Sequence, residues 1–584
     1  MRSKFLLAGL AAALTAASLR AAPLPEPDEH ELPPVEGMRR GWTVETGSRE
    51  AVRLFWRVRY RASTPSAFWR GSLEGCEPGE TLAEHRAAML ARINWYRAMA
   101  GVPGDMTEDP AATRKAQAAA LVTAANSRIS HDITPDWACF SADAQEGAHL
   151  SSIALVVNGT EAIDSFMRDA GELNHGTNHR RWLLFPNTMF MGLGDVRTAD
   201  PQRTASAFTA FDGLYNGNRP TLKREFVAWP PPGWVPYQVV FPRWSFAFPG
   251  ADLTAATVAM TRAGQPVAVA LEPYDDGAGE PTLVWRADGQ AHDAIWPRPD
   301  ADATYKVVVD NVKVAGETRR FEYEVKVFDP DGPAPDKREA TINGPARASA
   351  AEGAGYGVLA QPGATGYQWR ALRTEPWTVG EGAENGYGAF SYSGANNYPV
   401  LDHQAAASGK QSFRLAHNGI GDEILLLAEQ VALGAKPSLL FRGRRGVAGL
   451  DEVARVEVLV EGRDAWETVY LQRSDGKTAS AEPAFFERRV DLSPYADRLV
   501  RLRFRYQFAG GDFYSPDDPR IGWYLDDIRL DDAHRLVETG EPQRVTLGRF
   551  DFRPAKPGDW RLQARPTVYR AAGDWGPLWA VKVQ

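Results

Sequence analysis

The spacing of apolar residues changes from a helical to a strand period along this 584-residue chain. From about residue 80 to 185 they recur every three or four positions, as Met89, Ile93 and Tyr96 do, which is typical of an amphipathic helix. Beyond Trp229–Trp234, a proline-rich run that reads as a linker, they recur at every second position, as in half-buried strands. This order predicts a multidomain α+β protein with a helical N-terminal domain and β-sandwiches behind it.

Boundary motifs divide the helical region. Thr81 begins a sequence with the form of a capping box, and Gly101 is placed to end that helix. Asp109 followed by Pro110 predicts the start of a second helix. Thr160 is expected to cap a third.

The strand pattern is strongest in three places. Tyr305–Val309 and Phe321–Val327 predict a hairpin within an antiparallel sandwich at about 240–330. Asp329–Pro333 then reads as a second linker. The alternation resumes at Val456–Val460 and Val500–Tyr506, which predicts a larger sandwich or jelly roll.

The N-terminus has the form of a secretory signal peptide. Arg2 and Lys4 precede an apolar run that is too short to span a bilayer. Cleavage is expected near Ala21–Pro23, or alternatively after Ala17; the other interpretation is an uncleaved anchor. We therefore expect a secreted or periplasmic protein with no transmembrane segment.

Charge and cysteine content exclude other classes. Lys and Arg number 66 against 74 Asp and Glu, a net charge of −8, so we expect no nucleic-acid partner. In an oxidising compartment Cys76 and Cys139 are expected to form a disulfide. The alternative is two separate buried thiols, and a Cys-based zinc site is excluded.

Histidines and carboxylates concentrate in the helical region. Neutral imidazoles with carboxylates bind divalent cations or exchange protons as acid and base. His175 and His179 are four residues apart, but Gly176 stands where a zinc metalloprotease helix needs Glu, so that class is rejected. The interleaved set is His131, Glu146, His149, Asp169, Glu172, His175 and His179.

Several segments occur in an order that resembles one family. The closing pair, Asn178–Pro186 and Met191–Gly194, is the most specific. It follows a helix with Arg92–Arg97, then His131, Glu146, and the helix Ala162–Met167. Over about residues 80–200 the chain resembles the bacterial branch of the CAP superfamily, which includes cysteine-rich secretory proteins, antigen five and pathogenesis-related proteins.

The resemblance implies an α-β-α sandwich with a cleft that carries two histidines and two acids. The matching positions are His131, Glu146, Asp169 and His179, and His149 is an alternative occupant. The resemblance implies binding of a glycan, lipid, peptide or metal. Zinc would be held by His131 and His179, and Glu146 and Asp169 are the catalytic candidates. The alternative is a tetrad that only stabilises the cleft.

A second resemblance lies in the late sandwich. Val490–Ala496 and Gly522–Ile528 resemble MAM-like jelly-roll modules attached to secreted bacterial peptidases and adhesins. Such modules hold structural calcium, which makes Asp526 and Asp527 candidate ligands. The alternative is that an Asp caps a strand end.

These observations predict six segments: a signal peptide at 1–22, an arm at 23–70, a CAP-like domain at 71–238, a β-sandwich at 239–330, a jelly-roll-like sandwich at 338–535, and a β segment at 536–584 that completes an immunoglobulin-like fold begun near 340. The predicted function is binding of an extracellular or cell-envelope ligand. The alternatives are a metal-dependent hydrolase with Glu146 as its base, or an adhesin that acts through the jelly roll.

Overall fold

A computed structural model describes residues 41–63, 69–209, 218–275, 277–287, 289–332, 339–377, 379–394, 400–477, 481–511, 514–545 and 547–584. The predicted signal peptide and the first part of the predicted arm lie outside these ranges. The described residues form two compact units, one of residues 41–43 and 59–328 and the other of residues 44–58 and 329–584. The α+β multidomain class predicted from the sequence is confirmed.

The helices concentrate in the first unit. A helix of the second unit, α1, lies within the predicted arm. No helix among the described residues is long and apolar enough to cross a membrane. The α-helices in these ranges are α1 (Arg49–Phe55), α2 (Ala83–Ala100), α3 (Pro110–Asn126), α4 (Ala142–Leu150), α5 (Gly159–Arg168) and α6 (Asn178–Leu183).

Strands β4, β7 and β6 form an antiparallel sheet in that order within the helical region. Two short pairs accompany it, β1 with β2 and β3 with β5. The bounds are β1 (Trp69–Ser72), β2 (Glu77–Thr81), β3 (Thr107–Glu108), β4 (Ser151–Leu155), β5 (Phe190–Met191), β6 (Leu193–Val196) and β7 (Ala205–Thr209).

The side chains of β7 alternate between the two faces of the sheet, and this explains why helices pack against both faces. Ala205 and Ala207 point to one face and share an apolar core with α3 and α4. Phe208 points to the other face, where its ring lies 4.8 Å from that of Phe166 on α5. Since successive strand side chains point in opposite directions, helices cover both faces of the sheet. The predicted α-β-α arrangement is therefore present.

Two glycines allow α3 to lie directly on the sheet. A Cβ at Gly192 would come 2.2 Å from the Ala112 backbone, and one at Gly194 would come 2.2 Å from that of Ala116. These distances are far below contact for carbon atoms, so any side chain would push the helix away. The Gly-x-Gly pattern of the closing motif is thus a packing requirement.

The boundary motifs give mixed results. Gly101 ends α2 in the left-handed conformation, and the Asp109 side chain accepts the Ala111 and Ala112 amides, as predicted. The capping-box prediction was wrong, because the N-cap of α2 is Leu82. The Thr81 hydroxyl instead donates to Asp195 O and contacts Gln117 Oε1. The Thr160 cap was also wrong, because α5 begins at Gly159.

The disulfide between Cys76 and Cys139 is present, with the two Cα atoms 5.0 Å apart. The cysteines are 63 residues apart in sequence. The bridge therefore ties the turn after β1 to the segment between α3 and α4. A closed loop of this size contributes about 4 kcal/mol in the chain-entropy model.

Two sheets complete the first unit. One has the order β14-β15-β10-β8, and the other has β13-β12-β16-β17-β9, with β11 beside β16. The predicted hairpin is β16 with β17. The predicted linker at Trp229–Trp234 was wrong, because strands include both ends of that run. The bounds are β8 (Val227–Trp229), β9 (Gly233–Pro236), β10 (Arg243–Ala247), β11 (Ala251–Asp252), β12 (Thr257–Arg262), β13 (Gln265–Val267), β14 (Val269–Leu271), β15 (Thr282–Ala287), β16 (Ala303–Val314) and β17 (Glu317–Phe328).

The second unit contains α1 and strands that pack around a larger apolar core, a smaller one and a further cluster of four buried residues. Its bounds are β18 (Ile342–Asn343), β19 (Arg347–Ala348), β20 (Ala354–Val358), β21 (Gly366–Pro376), β22 (Val379–Glu381), β23 (Phe390–Gly394), β24 (Leu401–Asp402), β25 (Ser412–Leu415), β26 (Gly421–Leu427), β27 (Val431–Arg445), β28 (Glu452–Val460), β29 (Glu467–Arg473), β30 (Phe486–Asp491), β31 (Leu499–Phe508), β32 (Trp523–Thr539), β33 (Gln543–Val545), β34 (Arg549–Phe552), β35 (Gly558–Val568), β36 (Ala571–Ala572) and β37 (Trp579–Val583).

The smaller core joins the two ends of this unit. Strand β21 pairs antiparallel with β35, and β20 pairs with β34. Trp369 accordingly stacks on Phe550, with ring centroids 4.1 Å apart. The larger core contains residues from Ala383 to Ala533. The segment proposed to complete a fold begun near 340 thus pairs with that region, while the domain boundaries stay predictions.

We expect Gly194→Ala to lower the free energy of unfolding of the first unit by about 1–3 kcal/mol, because the new methyl group must displace α3. Chemical denaturation of the full chain, followed by tryptophan fluorescence, measures this. Gly380→Ala is the control, since a Cβ there meets no atom within 4 Å. Equal midpoints for both variants would contradict the close-packing account.

Candidate functional site

A buried carboxylate and a partly exposed imidazole form the strongest candidate site. Asp169 follows the last residue of α5 and has a left-handed backbone, with φ of 52°. His179 lies in the first turn of α6. The side chain of Asp169 is fully buried, whereas that of His179 is 25% exposed. The two residues therefore place a shielded negative charge behind an imidazole that solvent can reach.

Asp169 holds His179 in place through three hydrogen bonds. Its Oδ1 accepts Nδ1–H of His179 at 2.7 Å, and its Oδ2 accepts the amides of His179 at 3.0 Å and Arg180 at 3.3 Å. The carboxylate thereby satisfies amides at the start of α6, where Thr177 makes no side-chain cap. Because a carboxylate only accepts, the hydrogen on His179 stays at Nδ1.

The second ring nitrogen of His179 is Nε2. Among the described residues no hydrogen-bond partner is seen for this atom, and the centroids of the His179 and Phe166 rings lie 5.4 Å apart. Burial lowers the pKa of His179, but the hydrogen bond and charge of Asp169 outweigh it, so the pKa is raised above its usual 6.5. Nε2 accepts a hydrogen bond in the neutral ring and donates one in the cation.

Arg180, the neighbour of His179, points into the protein interior. Its Nε donates to Met167 O at 2.7 Å, and its Nη1 donates to Arg243 O at 2.8 Å. Complete burial lowers the pKa of Arg180 to about 10, against the opposing charge of Asp169. Arg180 therefore anchors α6 and takes no part in a solvent-facing site.

The other two residues of the predicted tetrad have different partners. The exposed His131 has its Nδ1 2.9 Å from Ala148 O. Glu146, also exposed, is 2.5 Å from Lys115 Nζ. Within the described ranges, no hydrogen bond or ion pair joins either residue to Asp169 or His179.

Among the described residues, no hydrogen bond or ion pair joins His149, the alternative occupant, or His175 to this pair. His149 is exposed, and its Nδ1 lies 3.9 Å from Asp132 Oδ1. His175 is one of the groups that lower the pKa of Asp275, after the amide of Gly277 and the side chain of Asn178. His175 thus belongs to a neighbouring polar group.

The described residues show no complete site for zinc. In the part of the chain that the structure describes, no three His, Cys, Asp or Glu side chains are grouped so that they could hold a metal ion. The predicted pair of ligands, His131 and His179, therefore has no third protein ligand, although structural and catalytic zinc sites use three or four. Zinc at these residues stays a prediction.

The two predicted calcium ligands both face one loop. The carboxylate of Asp526 is buried and accepts the amides of Ala407, Ser408 and Asp527 at 2.7–3.1 Å. Burial raises its pKa, against these hydrogen bonds. Asp527 Oδ1 lies 2.5 Å from Ser408 Oγ. Amide donors use the oxygens that calcium would need, so this geometry fits the loop-capping alternative, and calcium stays a prediction.

Sequence reasoning missed two buried histidine–acid pairs. His85 Nε2 lies 2.7 Å from Asp195 Oδ2, and His417 Nδ1 lies 3.1 Å from Glu452 Oε1. Asp195 directly follows Gly194, and this proximity to the closing motif was the available signal. In the other pair, His417 lies in the loop between β25 and β26, and Glu452 begins β28, 35 positions later, so no local pattern exists for it.

The family comparison agrees with this geometry. Residues 90–210 match the model of CAP, the cysteine-rich secretory protein family. This segment is a CAP domain. The matched range includes both members of the Asp169–His179 pair. The family resemblance predicted from the sequence is confirmed for this part of the chain.

Among solved structures, similarities are weak. The K3 adhesin domain of Lys-gingipain from Porphyromonas gingivalis W83 is 18% identical, with 26% of this chain and 97% of that chain covered and a TM-score of 0.20. SGBP-B from a xyloglucan utilization locus of Bacteroides uniformis is 12% identical. The match covers 57% of this chain and 84% of that chain, with a TM-score of 0.16. Similarities at these TM-scores carry no information on what this chain binds. No curated protein matches the chain.

We expect Asp169→Asn to lower the pKa of His179 below 6.5, because burial then acts without the opposing carboxylate. Titration of the His179 ring protons by NMR measures this, with the resonance assigned from its absence in His179→Ala. Glu146→Gln is the control and should leave the titration unchanged. An unaltered His179 pKa in Asp169→Asn would refute the pairing.

The same pair predicts how stability depends on pH. Since the pKa of His179 is raised in the folded state, the pair stabilises the fold fully below about pH 6.5, and this contribution is lost as pH rises through the folded pKa. The difference in unfolding free energy between wild type and Asp169→Asn should therefore be larger at pH 6 than at pH 9. A constant difference would contradict a charged pair.

Proposed function

We propose that this protein binds an extracellular or cell-envelope ligand through its CAP domain, at the exposed edge of His179. The observation that carries the proposal is an imidazole that is 25% exposed and is fixed through its Nδ1 by a buried carboxylate. Holding a ring in one orientation removes the entropy cost of ordering it when a ligand binds. Both residues of the pair lie within residues 90–210, which match the CAP family model, and ligand binding is what the resemblance to that family implies.

The chemistry of the pair favours acidic or hydroxyl-bearing ligands. With Nδ1–H directed at Asp169, Nε2 accepts a ligand hydroxyl when the ring is neutral. When the ring is protonated, it donates to a carboxylate or phosphate, and charge-assisted bonds of this kind are the stronger ones. The raised pKa of His179 favours its protonated form more than in an ordinary histidine. The ligand classes that fit are acidic glycans, peptide carboxylates and anionic lipid headgroups.

The alternative functions have less support. A hydrolase with Glu146 as its base would require this carboxylate near the reacting groups, but Glu146 pairs with Lys115 on an exposed helix face. The adhesin alternative names no binding residue in the jelly roll, and the calcium ligands predicted there, Asp526 and Asp527, contact a loop of their own unit. Ligand binding by the CAP domain is therefore the function we put first.

Sedimentation with purified peptidoglycan sacculi, co-flotation with anionic phospholipid vesicles, and a glycan array test the proposal at pH 6. We expect wild type to bind one of these probes and His179→Ala to bind it about ten-fold more weakly, as for loss of one charge-assisted hydrogen bond. Glu146→Gln should bind like wild type. The proposal fails if wild type binds none of the probes, or if His179→Ala binds as tightly as wild type.

A further inference from the structure

We propose that Arg243, on the β-sandwich that follows the CAP domain, is a positioning residue for the Asp169–His179 pair. Its importance for binding rests on the function proposed above, but its effect on His179 is measurable without a ligand. Arg243 lies at the start of β10 and outside residues 90–210 that match the family model. Its side chain is almost completely buried.

The guanidinium of Arg243 joins two carbonyls of the loop that carries Asp169. Its Nη1 donates to Asp169 O at 2.6 Å, and its Nη2 donates to Gly171 O at 2.8 Å. Both carbonyls follow the end of α5, where helical partners are no longer available. A single planar fork therefore fixes the backbone on both sides of Ala170.

This loop needs an external support because its backbone is unusual. Asp169 has φ of 52° and Gly171 has φ of 102°. A non-glycine residue in the left-handed region persists only when its surroundings hold it there. The Gly171 amide also donates to Nδ1 of His292, at 3.2 Å, so two residues of the sandwich hold the turn.

Arg243 also connects to the element that carries His179. Its carbonyl oxygen accepts Nη1 of Arg180 at 2.8 Å, and the same Nη1 donates to Ser245 Oγ at 3.2 Å. The side chain of Arg243 thus binds the end of α5, and its backbone binds α6. One residue therefore fixes the separation between the two elements that bring Asp169 and His179 together.

Arg243 shares an acid with Arg286, and Arg286 therefore provides a matched control. Glu272 Oε1 lies 3.1 Å from Arg243 Nε and 2.8 Å from Arg286 Nε. Arg286 also donates to Gln290 O. Arg243 and Arg286 therefore share a carboxylate, but the contacts to the Asp169 loop belong to Arg243.

The direction in which the His179 pKa changes distinguishes a positioning role of Arg243 from the effect of its charge alone. Among the described residues, the charged or titratable groups that contact the pair or its loop include Arg180, Arg243 and His292, and Glu272 contacts Arg243. Removing one positive charge favours a protonated imidazole and raises the pKa of His179. Loss of positioning loosens the bond between Asp169 and His179, and so lowers that pKa. The two explanations thus predict opposite shifts.

NMR titration of His179 in the full chain tests the proposal, with Arg243→Lys, Arg243→Gln and Arg286→Gln. We expect a lower His179 pKa in both Arg243 variants, toward the value in Asp169→Asn, and no change in Arg286→Gln. Lys retains the positive charge but lacks the planar guanidinium that binds two carbonyls at once. Arg243→Lys should therefore fail to restore the His179 pKa of the wild type. Amide exchange at His179 and Arg180 should become faster in both Arg243 variants.

Three results would overturn the proposal: a His179 pKa that rises or stays constant in folded Arg243→Lys, an equal fall in Arg286→Gln, or unfolding of both Arg243 variants while Arg286→Gln folds. The last would show that Arg243 supports the whole unit. Because the titration contains no ligand, a failure of the envelope-binding experiment with the expected pKa shifts would reject the proposed function and leave the positioning role intact.

Discussion

The buried carboxylate of Asp169 is the interaction on which the candidate site depends. It sits at the end of one helix and accepts the first amides of another, so a single side chain fixes two helix termini and one imidazole. A carboxylate taken out of water is stable only when its oxygens are fully used. Here three hydrogen bonds meet that need, and the orientation of His179 is a consequence.

The same requirement explains why the first unit continues beyond the CAP match. The loop after α5 exposes carbonyls to the interior, and the arginine that satisfies them comes from β10, more than seventy residues later. Arg180 makes the reciprocal connection from α6. Buried guanidinium groups need several acceptors each, and backbone carbonyls of the two parts supply them. The helical layers and the sandwich are thus held together by hydrogen bonds in which the buried arginine of each part donates to carbonyls of the other.

Much of this organisation could be predicted from the sequence, and the failures have physical causes. The change from helical to strand period gave the fold class, and the closing motif gave the CAP domain with His179. Asp169 was found by its position relative to Phe166. Glu146 was chosen in the same way, but its helix presents that side chain to Lys115. Arg243 has no local signature, because its role comes from contacts distant in sequence.

Exposure decides which histidine–acid pair is available to a ligand. Among the described residues, His85, His179 and His417 each pair with a carboxylate at hydrogen-bond distance. His417 is fully buried, and its Nε2 is already used by Tyr506 O. His85 is 3% exposed, with no solvent path for its Nδ1. Pairs enclosed in this way can only stabilise the fold. The His179 side chain is 25% exposed while its acid is fully shielded, and this asymmetry makes His179, of the three, the one that a ligand can reach.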